Sequence, residues 1–189
     1  HLQEESGRVK VWRLAWGATY GVATLAQLGA AGAVSAEDRP DQLWGALSTA
    51  VGVGFTLFGT PEVMDDGEAF AAKEGPPGPL DCTLIAEGER LMLKDAANEA
   101  DGVQWYWHVA NVAFNAGMGL ILGLGYGHWV SALVNFVVGA LIGEGTLFTQ
   151  PTALASAWDL YLGGSLGARA PGLFQPQLRL AGLGLSLSF

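Results

Sequence analysis

The stretch NVAFNAGMGLILGLG, residues 111–125, is apolar enough to lie in lipid, yet it carries two asparagines and four glycines. An amide is costly in hydrocarbon unless it finds a partner. Glycine is a poor helix former in water. Both residue types make sense together where two helices approach closely in a membrane and polar side chains tie them. The spacing supports that reading. Asn111, Asn115, Gly119 and Gly123 recur every fourth residue, and so do Ser131, Asn135, Gly139 and Gly143. On an α-helix each row forms one slowly drifting stripe.

The rest of the chain agrees with a lipid environment. Half of the 189 residues are hydrophobic and only 14% are charged, against roughly 25% in an average soluble domain. No charge falls between Leu14 and Val34 or between Leu43 and Thr60, and Glu144 is the only one between Val103 and Phe148. The net charge of −9 and the scattered nine basic residues speak against nucleic acid as a partner, because phosphate neutralisation needs clustered Lys and Arg. The single cysteine, Cys82, can form no intrachain disulfide. There is no zinc motif, phosphate loop or Ser/His/Asp arrangement, so no catalytic or metal-binding residue and no cofactor is expected, and the chain reads as no enzyme. Bound lipids are expected.

The chain divides into a polar arm at 1–10, a first transmembrane helix pair at 11–60, an acidic linker at 61–102, a transmembrane hairpin at 103–149, a short helix and linker at 150–177, and a strand-like tail at 178–189. Trp12, Trp16 and Tyr20 suit an interfacial belt at the start of the first span. Pro40 breaks the chain between the first two spans, and Asp41 can cap the second. Within the linker, residues 81–100 predict an amphipathic interfacial helix capped by Asp81. Glu87, Asp95 and Glu99 on it could form a carboxylate site, although a solvated acidic face fits better. The fold class expected is therefore an all-α membrane protein. It is an antiparallel four-helix transmembrane bundle with an extra amphipathic helix and an extended or β C-terminal tail.

The short GYG link at 125–127 makes residues 103–124 and 128–148 antiparallel neighbours. Pairing about it sets Gly123 near Ser131, Gly119 near Asn135, Asn115 near Gly139 and Asn111 near Gly143. Gly17 and Gly21 begin a similar packing stripe on the first span. The same pairing brings His108 within a turn of Glu144. An ionisable residue inside a span is a functional candidate by default. His108 and Glu144, with Asn111, Asn115 and Asn135, are the intramembrane candidates, and His108 is a weak candidate for holding a cofactor. The plainer alternative is that Glu144 reaches water or a base such as Arg13.

In the tail, Leu183, Leu185, Leu187 and Phe189 alternate with small polar residues, as a strand does. Leu178 and Leu180 lie on the other parity, which predicts a bulge or turn at Ala181-Gly182. An alternating strand ending in Phe resembles the C-terminal assembly signal of bacterial outer-membrane β-barrel proteins, over about a dozen residues. The resemblance implies that the tail binds a partner's sheet edge. With four spans, eight of nine basic residues fall on the side holding both ends, and Arg39 alone on the other. That asymmetry favours an inner-membrane protein. The tail, the moderate hydropathy of the spans and a start at His1, which fits a removed leader, favour an exported envelope protein of the outer membrane or periplasmic side. The second reading is preferred and the inner membrane is the alternative. The function expected is that of a structural or accessory subunit among other membrane proteins, or a homo-oligomer. The alternatives are a small transporter or channel with a polar path, or a cofactor-binding subunit.

Overall fold

The computed structural model describes residues 2–59, 62–73 and 81–163, together with the backbone of 177–181 and 184–188. Seven α-helices follow one another: α1 Leu2–Ala33, α2 Arg39–Phe58, α3 Val63–Lys73, α4 Cys82–Gly102, α5 Trp105–Leu120, α6 Trp129–Phe148 and α7 Ala153–Leu162. Three helical segments, Arg39–Lys73, Trp105–Gly125 and Trp129–Leu162, are long and apolar enough to cross a membrane. The long α1 is not among them. Its charge-free stretch has the length, but Gly, Ala, Thr and Gln dilute its apolar side chains.

Two hairpins form the long-helix layer. α1 lies along α2, and α5 lies along α6. A turn of π-helix, Ile121–Gly125, ends α5. Gly127 then reverses the chain at φ 76°, a left-handed conformation that glycine adopts without steric cost. Polar clasps join the hairpins. Trp12 and Trp16 both donate their indole N–H to Thr149 Oγ1, at 3.3 and 2.8 Å. Tyr20 Oη pairs with Thr146 Oγ1 at 2.8 Å. Trp12 and Tyr20 are thus buried inside the molecule, not displayed as an outward belt.

The remaining helices make a cap at one end. Leu2 and Val9 of α1 pack with Val63 of α3, Leu91 of α4 and Leu154 of α7 in one apolar cluster. Residues of the expected polar arm are therefore the first turns of α1, with Leu2, Glu5, Ser6 and Val9 on its buried face at helical spacing. The linker holds two helices where the sequence suggests one. The cap surface carries ion pairs, among them Lys94 with Asp66 at 2.9 Å and with Glu62, and Lys10 with Glu68.

Local signals explain most boundaries. Asp81 caps α4 by accepting the Thr83 N–H at 2.9 Å. The helices do part at 34–38, and Pro40 sits just after that break, in the first turn of α2, where a missing N–H leaves no bond unmade. Asp38, not Asp41, is the residue before that helix. The tail forms an antiparallel hairpin of β1 Gln177–Ala181 and β2 Gly184–Ser188, with Leu178 opposite Leu187 and Leu180 opposite Leu185. Ala181 pairs with Gly184, so the change of parity falls between the two strands, and the expected bulge or turn involves residue 182, outside the described residues. Leu183 and Phe189 lie outside the described residues, and Leu185 and Leu187 are described by backbone alone.

Candidate functional site

A polar seam runs between α5 and α6. His108 Nδ1 lies 2.5 Å from Glu144 Oε2. Asn111 donates to the other carboxylate oxygen at 2.9 Å and to the Ala140 carbonyl at 3.0 Å. Asn115 then donates to Asn111, to the backbone oxygen and to Oδ1, both at 2.9 Å. Four side chains thus form one hydrogen-bonded chain, and its innermost member, Asn115, is buried. Glycines make the room. A Cβ on Gly143 would stand 2.0 Å from Asn111 Oδ1, and one on Gly139 would stand 2.0 Å from Asn115 Oδ1. Arg13, the base offered as a partner for Glu144, instead donates to the Leu57 carbonyl at 3.0 Å.

The lower half of each row departs from the simple pairing. Gly119 lies against the Ala132 carbonyl and Phe136, not Asn135. Gly123 lies under the Trp129 ring, not Ser131. The π-turn accounts for the second departure, because its wider winding rotates Gly123 by a fraction of a turn before the link. Gly119 precedes it, on the regular helix where a four-residue row drifts slowly around the axis. Asn135 turns towards α2 instead, and its Oδ1 would be 3.3 Å from a Cβ on Gly45. Ser131 donates to Asp41 Oδ2 and His128 Nδ1 bonds Asp41 Oδ1, both at 2.6 Å. A second His–carboxylate pair, which the sequence reading did not single out, therefore sits at the opposite end of the α5–α6 hairpin. Its signal in the sequence is faint: a helix-end Asp and a link-adjacent His, 87 residues apart. Of the first-span stripe, Gly17 faces Thr56, whereas nothing stands within 4 Å of a Cβ on Gly21.

Two cavities flank the first seam. One of about 250 Å³ lies among α1, α2, α5 and α6 and is reached by Asn111 and Asn115. The other, about 500 Å³, lies where the cap meets the long helices and is reached by His108 and Gln104. The His–Glu–Asn–Asn chain thus has His108 at one cavity and Asn111 and Asn115 at the other, and Leu147 lines both.

The cap holds a different polar group. Glu99 is fully buried, and its Oε2 accepts the N–H groups of Leu154 and Ala155 at 2.9 and 3.0 Å, at the start of α7. Glu5 Oε1 accepts the neighbouring Ala153 N–H at 3.3 Å. Burial pushes the Glu99 carboxyl up to about 8, against the pull of those backbone bonds. Burial also raises Asp95, reinforced by the charge of Asp66, and raises Glu5. Glu87 faces the other way, to Arg90 and Lys73, whose hydrogen bonds lower it to about 2. The carboxylate trio suggested on α4 is therefore split between two faces. Among the described residues no group of three or more His, Cys, Asp or Glu side chains is placed to hold a metal ion.

Compared with known proteins, the chain matches no family model, no curated protein and no solved structure.

Proposed function

We propose that the chain is an integral membrane protein of the bacterial envelope, in which α1, α2, α5 and α6 form a four-helix transmembrane bundle, and that it serves as a structural or accessory subunit of a membrane assembly. The membrane half of this reading is supported by the outward surface. Leu14 and Leu25 on α1 and Val130 and Leu133 on α6 are more than half exposed, where a water-soluble monomer would show only limited apolar patches. α1 is the weakest of the four spans, and its place in lipid would depend on α2.

The observation that carries the subunit reading is on α1. A Cβ at Gly21 or Gly29 would meet nothing within 4 Å. Small residues that face outward do no packing inside this chain. In lipid they let a second helix approach closely. Leucine at both positions has room, so Gly21→Leu/Gly29→Leu is expected to fold and enter membranes as the parent does, while losing its cross-linked partner or second copy in native membranes. Unchanged cross-linking in that variant, or a strictly monomeric parent, defeats the reading. The envelope compartment is tested separately, by fractionating inner and outer membranes.

A second reading, a small transporter or channel, is favoured by one feature: the hydrogen-bonded chain of His108, Glu144, Asn111 and Asn115 has His108 at one cavity and Asn111 and Asn115 at another. It predicts that Asn115→Leu leaves the bundle folded but stops solute flux into liposomes. Flux equal to that of empty liposomes in the parent protein removes it.

A further inference from the structure

α2 and α5 touch over only a short stretch, and the space between them is the cavity of about 250 Å³. Its walls are mostly apolar, with Val51 and Phe55 on one side and Phe114 and Ile142 on the other. The Phe55 and Trp107 rings meet edge-on with centroids 6.1 Å apart. Six polar side chains interrupt this lining, Tyr20, Ser48, Thr49, Asn111, Asn115 and Thr146. Tyr20 pairs with Thr146, Thr49 bonds Thr24 and the Gly45 carbonyl, and Asn111 is taken up by Glu144, Ala140 and Asn115. Ser48 brings a hydroxyl from α2. Asn115 spends both amide hydrogens on Asn111, which leaves its carbonyl oxygen to accept a bond. No Lys, Arg, His, Asp or Glu is among the residues lining the cavity. An ionised head group would find no countercharge there, and an anion would also meet Glu144 one hydrogen bond behind Asn111.

We propose that this cavity binds an uncharged single-chain amphiphile bearing a hydroxyl, which donates to Asn115 Oδ1 or Ser48 while its hydrocarbon lies between α2 and α5. The volume suits a slender molecule, since it lies at the lower edge of the roughly 300–1,000 Å³ common for ligand pockets. The inference rests on the membrane reading for the ligand's route of entry, through lipid between two helices. The fit itself does not depend on that reading.

The test is photoaffinity labelling of the full chain in detergent, with an undecanol carrying a terminal diazirine. Saturable labelling on peptides containing Val51–Phe55 or Phe114, displaced by plain undecanol, is the expected result. Ala110→Leu and, separately, Val51→Phe fill the space and are expected to cut that labelling about tenfold or more, equivalent to ~1.4 kcal/mol of binding, with circular dichroism unchanged. Ser48→Ala combined with Asn115→Leu keeps the hydrocarbon slot and is expected to abolish the preference for the alcohol. Diffuse, non-saturable labelling over all the long helices means ordinary detergent-like contact and overturns the proposal. So does equal labelling by the diazirine analogues of undecanoate or undecylamine. Failure of the chain to float with phospholipid vesicles would instead sink the membrane reading, and the labelling in detergent would still decide the cavity.

Discussion

Single glycines in this protein have opposite roles, and the difference can be measured. Alanine at Gly143 would place a methyl 2.0 Å from Asn111 Oδ1, so either the amide leaves Glu144 or α5 and α6 move apart. Gly143→Ala is expected to destabilise the protein by about 1–3 kcal/mol, the usual cost of overpacking. Gly21→Ala meets nothing and removes a flexible residue from a helix, so it is expected to be neutral or stabilising by ~0.5–1 kcal/mol. Denaturant unfolding in mixed micelles, followed by tryptophan fluorescence, distinguishes the two. At Glu144 the contrast is chemical. Glu144→Gln retains an oxygen for the Asn111 amide, whereas Glu144→Leu leaves that amide only its bond to the Ala140 carbonyl and takes the partner from the His108 ring. The leucine variant is expected to lose about 1–3 kcal/mol in the same unfolding measurement, and the glutamine variant clearly less. The Asn–Gly register of the upper seam was legible because a four-residue period and a short link leave little freedom. The lower seam was not, because the row drifts off the contact by Gly119 and the turn of π-helix after it changes the phase at Gly123 without leaving a distinctive residue pattern.

The cap helices carry the clearest dependence on pH. Glu99 titrates near 8 in the folded chain, far above an unfolded glutamate. The folded state therefore binds more protons than the unfolded state between those values. Stability from this group is complete below the unfolded value and is lost as pH rises through about 8. Asp95 and Glu5 shift in the same direction. Amide exchange at Leu154 and Ala155, corrected for intrinsic rates, is expected to speed up as the solution is taken from mildly acid to mildly alkaline. In Glu99→Gln that acceleration should shrink, because glutamine still accepts the two N–H bonds and cannot ionise. None of this was legible in advance. A hydropathy reading assigns acids to water, and on the amphipathic helix expected at 81–100 it gives Glu87, Asp95 and Glu99 to a solvated face. Asp95 and Glu99 nonetheless share a four-residue spacing with Leu91, the face that packs inward. The helix α3 was missed for a related reason, since a short segment with Asp65, Asp66 and Glu68 shows little apolar period.

At the scale of the molecule, charge-free runs made the long helices legible; α5 and α6 end close to the expected 103–124 and 128–148, whereas α1 begins at Leu2, well before the expected start at residue 11. Packing between the hairpins was not legible, because it relies on isolated polar contacts from distant parts of the sequence. If the bundle spans a bilayer, the protein is expected to stay with membranes through alkaline carbonate extraction and to float with vesicles in a density gradient. Release into the supernatant would count against all four spans. The contacts between hairpins also bear on biosynthesis. Trp12 and Trp16 reach for one hydroxyl, Thr149, that leaves the ribosome 133 or more residues after them. Each hairpin can mature by itself, and the clasp closes only once the last long helix has emerged. Co-expressed as two separate polypeptides, the front half and the back half should find one another and rebuild the parent. Thr149→Val removes one latch among several, since Tyr20 still meets Thr146 and Asp41 still meets His128, and is expected to weaken that recombination while leaving both halves sound.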